Sequence, residues 1–307
     1  MKYGDKGDGP GPTGLYSRVS GVRFPGLSPY VKEGRPMEFT QSQMQRLKEY
    51  GDDDYELSFN TSEEREKAYV KIFSEMTAKN DRSIRNMMSD PERHSLSKLE
   101  GDLAEILTKN GFTEVRTPLI ISKTALEKMT ITRDSQLYRQ VFSIDEKRCL
   151  RPMLAPNLYF VMKMLREKTN GPVRIFEIGQ CFRKESKSNH HLEEFTMLNL
   201  VELGPNGDPT DRLKELISKI MTHTGLGYRT VEECSEVYKT TLDVEVNGME
   251  VASGAVGPHV LDKAHGINEP WCGAGFGLER LLMEMTKKSN IRKVGKSLIY
   301  LNGAKID

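Results

Sequence analysis

Residues 181–198 read CFRKESKSNHHLEEFTML, and the residue types gathered there suit the capture of a charged ligand. Arg183 and the distant Arg280 carry guanidinium groups, which offer paired donors to one phosphate and never lose their charge; both are candidate phosphate clamps. Phe182, Arg183, Lys184 and Glu185 alternate with a strand period, which predicts Arg183 and Glu185 on one face of a strand, where two opposite charges grip one polar ligand. Ser186 to His190 form a turn-rich break, and Phe195, Met197 and Asn199 resume the period of two on a second strand. Gly273, Gly275 and Gly277 alternate on a further strand. Strand glycines cost stability, so three in register suggest that something, such as a nucleotide ring, approaches the backbone closely; the blander alternative is a bulged strand packed on a helix. The G-x-G-x-x-G spacing and a P-loop lysine are both absent, which leaves phosphate recognition to side chains. Glu250 and Ser253 offer oxygen ligands to Mg²⁺, a hard cation that keeps several waters and bridges substrate phosphates. Each of these side chains alone reads as an ordinary surface or ion-pair residue; it is their joint appearance that points to a site.

Periodicity outlines the scaffold that carries these side chains. Residues 1–36 hold eight glycines and five prolines, a share above the roughly 25–30% that marks low-complexity sequence, so this segment is expected to be a disordered leader or extension outside the core, with Met37 a candidate natural start. Residues 37–90 read as an N-terminal helical segment, with Met44, Leu47 and Tyr50 at helical spacing and a second helical run over 62–76. Residues 91–307 read as the core. Asp90-Pro91 is expected to open a helix carrying Leu96, Leu99, Leu103, Ile106 and Leu107, which stops at Asn110-Gly111. Strands are predicted at 114–116, 140–144, 173–178, 180–182 and 195–203, with one helix from Pro156 to about Lys168 and another over 211–224. Asn247-Gly248 between two apolar runs is a hairpin turn of type I′, and a last helix opens at Leu278. Runs of antiparallel strands with helices around them predict an α+β fold.

Composition bounds the chemistry. A net charge of +1 with 29% charged residues gives no global field of the kind a general nucleic-acid or membrane-surface protein carries. Cys149, Cys181, Cys234 and Cys272 are widely spaced without a C-x-x-C pair, which predicts free thiols in a reducing compartment rather than disulfides or zinc. No apolar run approaches the ~18 residues of a membrane span and no secretory h-region opens the chain, so a soluble, cytoplasmic protein is expected.

Three segments carry a resemblance to a known class of enzymes. Phe182-Arg183-Lys184-Glu185 with His191 and Phe195 resembles motif 2 of the class II aminoacyl-tRNA synthetases. Residues 273–280 resemble motif 3, and Asn110-Gly111-Phe112 followed by Val115-Arg116-Thr117-Pro118-Leu119-Ile120 resembles motif 1. The runs LRPMLAPNLY at 150–159, FRKES at 182–186, HLEEFTMLN at 191–199, VGP at 256–258 and PW at 270–271 leading into GAGFGLERLL at 273–282 are similar to the catalytic domain of the pyrrolysyl-tRNA synthetase family. The similarity covers residues 38–307 and fits the subclass without a separate N-terminal tRNA-binding domain.

The resemblance implies an antiparallel class II sheet and ATP with Mg²⁺ as cofactor. The implied reaction is activation of pyrrolysine to its adenylate, followed by transfer to the amber-decoding tRNA for pyrrolysine, by a homodimer joined through motif 1 with the stripe Leu96–Leu107 as surface to bury. It assigns ATP to Arg183, Glu185, His191, Leu192, Phe195, Met197, Glu250, Ser253 and Arg280, with the purine stacked on Phe195 and clasped by Arg280, Arg183 on the α-phosphate, and Glu250 and Ser253 reaching the metal. A flat aromatic under a purine with a cation over it is physically apt. Catalysis by Arg183 and Arg280 is then positioning plus electrostatics, without a protein nucleophile. The amino-acid pocket falls to Ala155, Leu158, Tyr159, Met162, Asn199, Val201, Tyr238, Trp271 and Gly273, four of them on one helix face by spacing. Asn199 would bond the amide of an Nε-acyl lysine, and Tyr238 would close over its ring. Val201, Met162 and the run Ala252-Ser253-Gly254-Ala255 depart from the bipartite members of that family and bear on pocket depth and α-amine contacts. Contacts to tRNA are expected on the helices of 38–88 and around Arg292, Lys293 and Lys296. The competing assignments are a class II synthetase for phenylalanine, whose pocket has no use for Asn199, and a non-charging paralogue, which would typically lose one of the two arginines.

Overall fold

The computed structural model describes residues 37–307 apart from 53, 54, 56, 186, 187 and 236; the Gly/Pro-rich segment 1–36 lies outside the described residues. Two compact units divide between Asn80 and Asp81. In the first, α1 (Gln41–Tyr50) opens on a capping box: the Thr40 hydroxyl accepts from the Gln43 backbone while the Gln43 side chain accepts from the Thr40 N–H, which satisfies two donors that a helix start otherwise leaves orphaned. The long helix α2 (Ser62–Ser89) comes next, and the division of units falls within it. Phe39, Leu47, Phe59 and Ile72 form the small core of this unit.

The second unit runs in chain order through α3 (Ser95–Lys109), β1 (Thr113–Glu114), β2 (Ile120–Ser122), α4 (Lys123–Lys128), α5 (Gln136–Arg139), β3 (Arg148–Leu150), α6 (Ala155–Arg166), β4 (Val173–Phe182), β5 (Glu194–Leu203), α7 (Pro209–Thr224), β6 (Arg229–Ser235), β7 (Lys239–Val246), β8 (Met249–Gly257), α8 (Asp262–His265), β9 (Trp271–Gly277), α9 (Leu278–Thr286), β10 (Tyr300–Leu301) and β11 (Ala304–Lys305). Three expectations are corrected. Asp90-Pro91 does not open α3; His94 caps it, and the Ser95 N–H and hydroxyl both donate to Asn302 Oδ1, so a side chain remote in sequence serves the orphan donors. Residues 140–144 form no regular strand: Val141 closes a turn on Tyr138, and the segment meets the other edge of β3 only through the isolated bridge of Ser143 to Cys149. Arg183 and Glu185 are not on a strand, since β4 stops at Phe182. The edge strand β6 was not foreseen; its Glu232-Glu233-Cys234 run is exposed and shows no alternation.

Seven strands form one sheet in the order β1-β4-β5-β9-β8-β7-β6, antiparallel except for β1 beside β4, and the α+β class expected from sequence holds. Asn247 (φ 51°) and Gly248 (φ 83°) both take the left-handed conformation that a type I′ turn between β7 and β8 requires. The period of two sends alternate residues to opposite faces. Phe176, Ile178, Leu198, Leu200, Ala274 and Phe276 pack against α3, α7 and α9 in one core. Ile175, Val201 and Trp271 turn the other way, towards α6. The stripe Leu96, Leu99, Leu103 and Leu107 is buried in the first of these cores, so it stabilises its own chain and offers no surface to a second subunit.

One irregularity in the sheet decides which side chains reach its open face. The pairing of β7 with β8 shifts between Val244↔Ala252 and Glu245↔Glu250, which leaves Val251 as an extra residue. Val251 and Ala252 therefore both point into the α3/α7/α9 core, and the flanking Glu250 and Ser253 both face the opposite side, an arrangement an unbulged strand forbids.

Candidate active site

The side of the sheet facing α6 is not filled. A cavity of about 400 Å³ opens over β5, β8 and β9, and every site residue predicted from sequence lines it. At its apolar end α6, started by Pro156 in its first turn, presents Ala155, Leu158, Tyr159 and Met162. Val201, Trp271 and Gly273 close the floor, and Tyr238 stands with its ring centroid 5.9 Å from that of Trp271. Asn199 points into this end, and among the described residues its side-chain amide has no hydrogen-bond partner. A Cβ on Gly273 would stand 2.9 Å from the Leu200 carbonyl oxygen; the close approach read from the glycine alternation is at that position a strand-to-strand contact as well as a wall of the cavity.

The polar end holds Arg183, Glu185, His191, Leu192, Phe195, Met197, Glu250, Ser253 and Arg280. Arg183 leaves the end of β4 with its backbone N–H donating to Glu193 O (2.9 Å) and its Nε donating to Pro152 O (2.9 Å). Its guanidinium carbon lies 5.3 Å from the Phe195 ring centroid, a cation–π contact on the ring that the resemblance assigns to the purine. Arg280 Nη1 donates to the Glu250 carbonyl at 3.0 Å. Burial lowers the Arg183 pKa from its usual high value, and it remains a cation at any physiological pH.

Glu250 is held above the usual carboxylate range by burial of its acid group, with Asp243 and Glu245 adding to the effect and Arg280 and Arg183 opposing it. The Ser253 hydroxyl donates to Asp243 Oδ1 at 2.6 Å, a partner that sequence reasoning missed. This corner gathers oxygen atoms from Glu250, Ser253 and Asp243, which fits a hard divalent cation. Among the described residues no cluster of three or more His, Cys, Asp or Glu side chains could hold a metal by itself, so a cation here would complete its shell with water and phosphate oxygens.

Further residues support the site without having been foreseen. Arg151 and Glu177 form a buried ion pair at 2.7 Å. Glu177 also accepts from the Thr117 N–H and hydroxyl, and Arg151 Nε donates to Gln180 O. This fixes the backbone at 151–152, including the Pro152 carbonyl that anchors Arg183. Glu279, beside Arg280 in the stretch likened to motif 3, had a signal available. Its two carboxylate oxygens accept from the Thr196 N–H at 2.8 and 2.9 Å, and burial pushes its pKa up to about 7, against the hydrogen bond from Thr196. Asp262, in the four-residue helix α8, had none. The thiols of Cys181 and Cys272 are pushed up to about 12 by burial, which keeps them protonated and poor nucleophiles. All four cysteines are free.

The basic tail is corrected in part. Lys293 is buried, Lys296 pairs with Glu194, and Arg292 is exposed.

Comparison with known proteins gives the family of the chain. The family model of the tRNA synthetases class II core domain (F) matches residues 79–302. A crystal structure of pyrrolysyl-tRNA synthetase from Desulfitobacterium hafniense is similar at 43% identity and a TM-score of 0.82, covering 87% of this chain and 98% of that one; a second structure of that organism's enzyme is similar at 42% and 0.80. Among curated proteins, a lysine–tRNA ligase from Laribacter hongkongensis is 29% identical over 160 residues and an O-phosphoserine–tRNA(Cys) ligase from Methanocorpusculum labreanum is 22% identical over 174. The chain spans about a third or less of the length of these curated relatives (27% and 33%). On the extent of the family match and the identity to the two solved structures, the chain belongs to the class II tRNA synthetases and, within them, to the pyrrolysyl-tRNA synthetase family.

Proposed function

We propose that the chain is a pyrrolysine–tRNA ligase, which joins pyrrolysine to AMP and passes the aminoacyl group to the tRNA for pyrrolysine. The carrying observation is the unpartnered Asn199 amide in an otherwise apolar pocket, opposite an end of the same cavity lined by two arginines. A pocket for a hydrocarbon side chain gains nothing from that amide, which costs about 1–3 kcal/mol when left buried without a partner. An Nε-acyl lysine supplies the partner.

In the first step the amino-acid carboxylate attacks the α-phosphorus of ATP and pyrophosphate leaves. Phe195 carries the purine, Glu185, His191, Leu192 and Met197 frame the nucleoside, and Arg183 and Arg280 hold the phosphates in line and offset the charge that grows on them. Glu250 and Ser253 would hold Mg²⁺, which supplies neutralisation of the leaving pyrophosphate. In the second step a terminal ribose hydroxyl of the tRNA attacks the acyl carbonyl and AMP departs. The protonated thiols around the site take no part.

The reading extends to partners. Leu119 and Ile120 stand 40% and 48% exposed in the stretch that resembles motif 1, and a homodimer would cover them; sedimentation showing only monomer at micromolar concentration overturns that. The exposed Arg292 is available to tRNA phosphate. No described helix is long and apolar enough to cross a membrane, in keeping with a cytoplasmic enzyme.

The deciding experiment is a charging assay with ATP-Mg²⁺ and the amber-decoding tRNA, comparing pyrrolysine, an Nε-acyl lysine and phenylalanine. Charging by the lysine derivatives alone, falling roughly tenfold or more in Asn199→Ala, is the expected result. Charging by phenylalanine overturns the substrate, and no charging by any of them overturns the activity.

A further inference from the structure

Behind the apolar end of the cavity lies a carboxylate that the reaction does not touch. Asp262 is 2% exposed, and among the described residues it makes no ion pair. Its partners are neutral donors: Oδ1 accepts from the Tyr159 hydroxyl at 3.0 Å, while Oδ2 accepts from Trp271 Nε1 at 2.9 Å and from the His259 backbone N–H. Burial raises the pKa of the Tyr159 phenol, with the neighbouring Tyr238 and Asp262 adding to it, so this hydroxyl stays protonated and donates.

A carboxylate is an acceptor with no proton of its own, so every group that meets it must turn a donor towards it. That requirement fixes two pocket rings at once. The Trp271 indole must point Nε1 at α8, and it lies so close across β8 that a Cβ on Gly257 would stand 1.9 Å from that nitrogen. The Tyr159 ring is held edge-on to Trp271, with centroids 5.8 Å apart and planes at 81°, and is stacked on its far side by His265 at 4.2 Å. Tyr238 in turn stands against the ring so fixed, its centroid 5.9 Å from that of Trp271. One buried acid side chain thus orients two aromatic walls directly, and a third packs against one of them.

We propose that Asp262 is a positioning residue of the amino-acid pocket, whose carboxylate holds Tyr159 and Trp271 in the orientation that admits a long, amide-tipped lysine side chain. The proposal rests on the function proposed above. Asp262 touches neither ATP nor the reacting carboxylate, so its effect falls on amino-acid affinity. An apolar residue in its place would fill the space and leave an indole N–H and a phenol hydroxyl without acceptors, at the cost that burying unpaired donors carries.

The test uses amino-acid-dependent ATP–pyrophosphate exchange by the full chain with an Nε-acyl lysine. In Asp262→Asn the KM for the amino acid is expected to rise roughly tenfold, with the KM for ATP and kcat nearly unchanged. Trp271 is the single tryptophan of the chain, so its emission reads the same hydrogen bond without any substrate and should shift in this variant. Should Asp262→Asn fail to fold, Tyr159→Phe carries the test: it keeps the packing, removes one donor, and is expected to raise the amino-acid KM. Where both fold, the double variant should fall short of the product of the two single effects, because the residues act through one bond. An unchanged amino-acid KM in a folded Asp262→Asn, equal rises in both KM values, or fully independent effects in the double variant overturn the proposal and leave the enzyme assignment standing. Absence of exchange by the unaltered chain with every lysine derivative overturns the assignment and the proposal together.

Discussion

Leu198 and Leu200 on β5 are fully buried against the helices of the α3/α7/α9 core, while Met197 and Asn199, their neighbours on the same strand, line the cavity. The two faces of the sheet share every strand and every backbone hydrogen bond, and differ only in what is laid over them. On the first face three amphipathic helices bring leucine, isoleucine and methionine until no space is left. On the second, α6 covers one end and the rest is lined by cations, carboxylates and a side-chain amide. The packed face supplies the stability that lets the open face keep groups that are costly in a core.

Three substitutions put that division of labour at risk. The largest effect is expected from Phe276→Ala, since Phe276 is fully buried on the packed face. Urea unfolding should show a loss of about 3–5 kcal/mol, with activity per folded molecule retained; a loss of activity greater than the loss of folded protein would show that the faces are not separable. Arg183→Ala probes the open face. Pyrophosphate exchange should fall roughly 10²–10³-fold, while stability changes by no more than the roughly 1.5–3 kcal/mol of one charged hydrogen bond to the Pro152 carbonyl. The reverse pattern would assign Arg183 to the scaffold. Glu279→Gln addresses the seam, because this carboxylate lines the cavity yet is bonded to the backbone of β5. Its folded pKa of about 7 lies above the ordinary 4.5, so the folded state holds the proton more tightly. Stability should therefore fall as pH rises from about 4.5 to 7 and level off above that, by up to roughly 3 kcal/mol. Denaturation curves at pH 4.5, 6 and 8 should show that slope in the unaltered chain and a flatter one in the glutamine variant.

How much of this was legible depended on the range of the interaction. The alternation of Phe195, Met197, Asn199 and Val201 along β5 follows from the period of a strand, and Leu213, Leu216, Ile217 and Ile220 from the period of a helix. Both are local and both were found. Arg183, Arg280 and Asn199 were found because their chemistry stands out within recognisable motifs. The helix start at Ser95 was misplaced because its donors are met by Asn302, and the strand at 140–144 because a turn on Tyr138 cuts it to a single bridge. Asp262 was invisible for a similar reason: Tyr159 lies 103 residues away in sequence, and nothing in the run Leu261-Asp262-Lys263 announces an acid turned inward. Asp243 became significant only once β7 and β8 were paired.

The extra residue in β8 gives the site a phase as well as a composition. Across an ordinary strand, positions 250 and 253 would face apart; with Val251 inserted opposite Val244 and Glu245 they face together. Exchanging side chains along this hairpin alters what the pocket prefers, but dropping a single residue from β8 would move one oxygen ligand into hydrocarbon and a core side chain into the cavity. The number of residues between Glu250 and Ser253 is thus as much a part of the chemistry as their identity, and variation in this hairpin should proceed by substitution far more readily than by change of length.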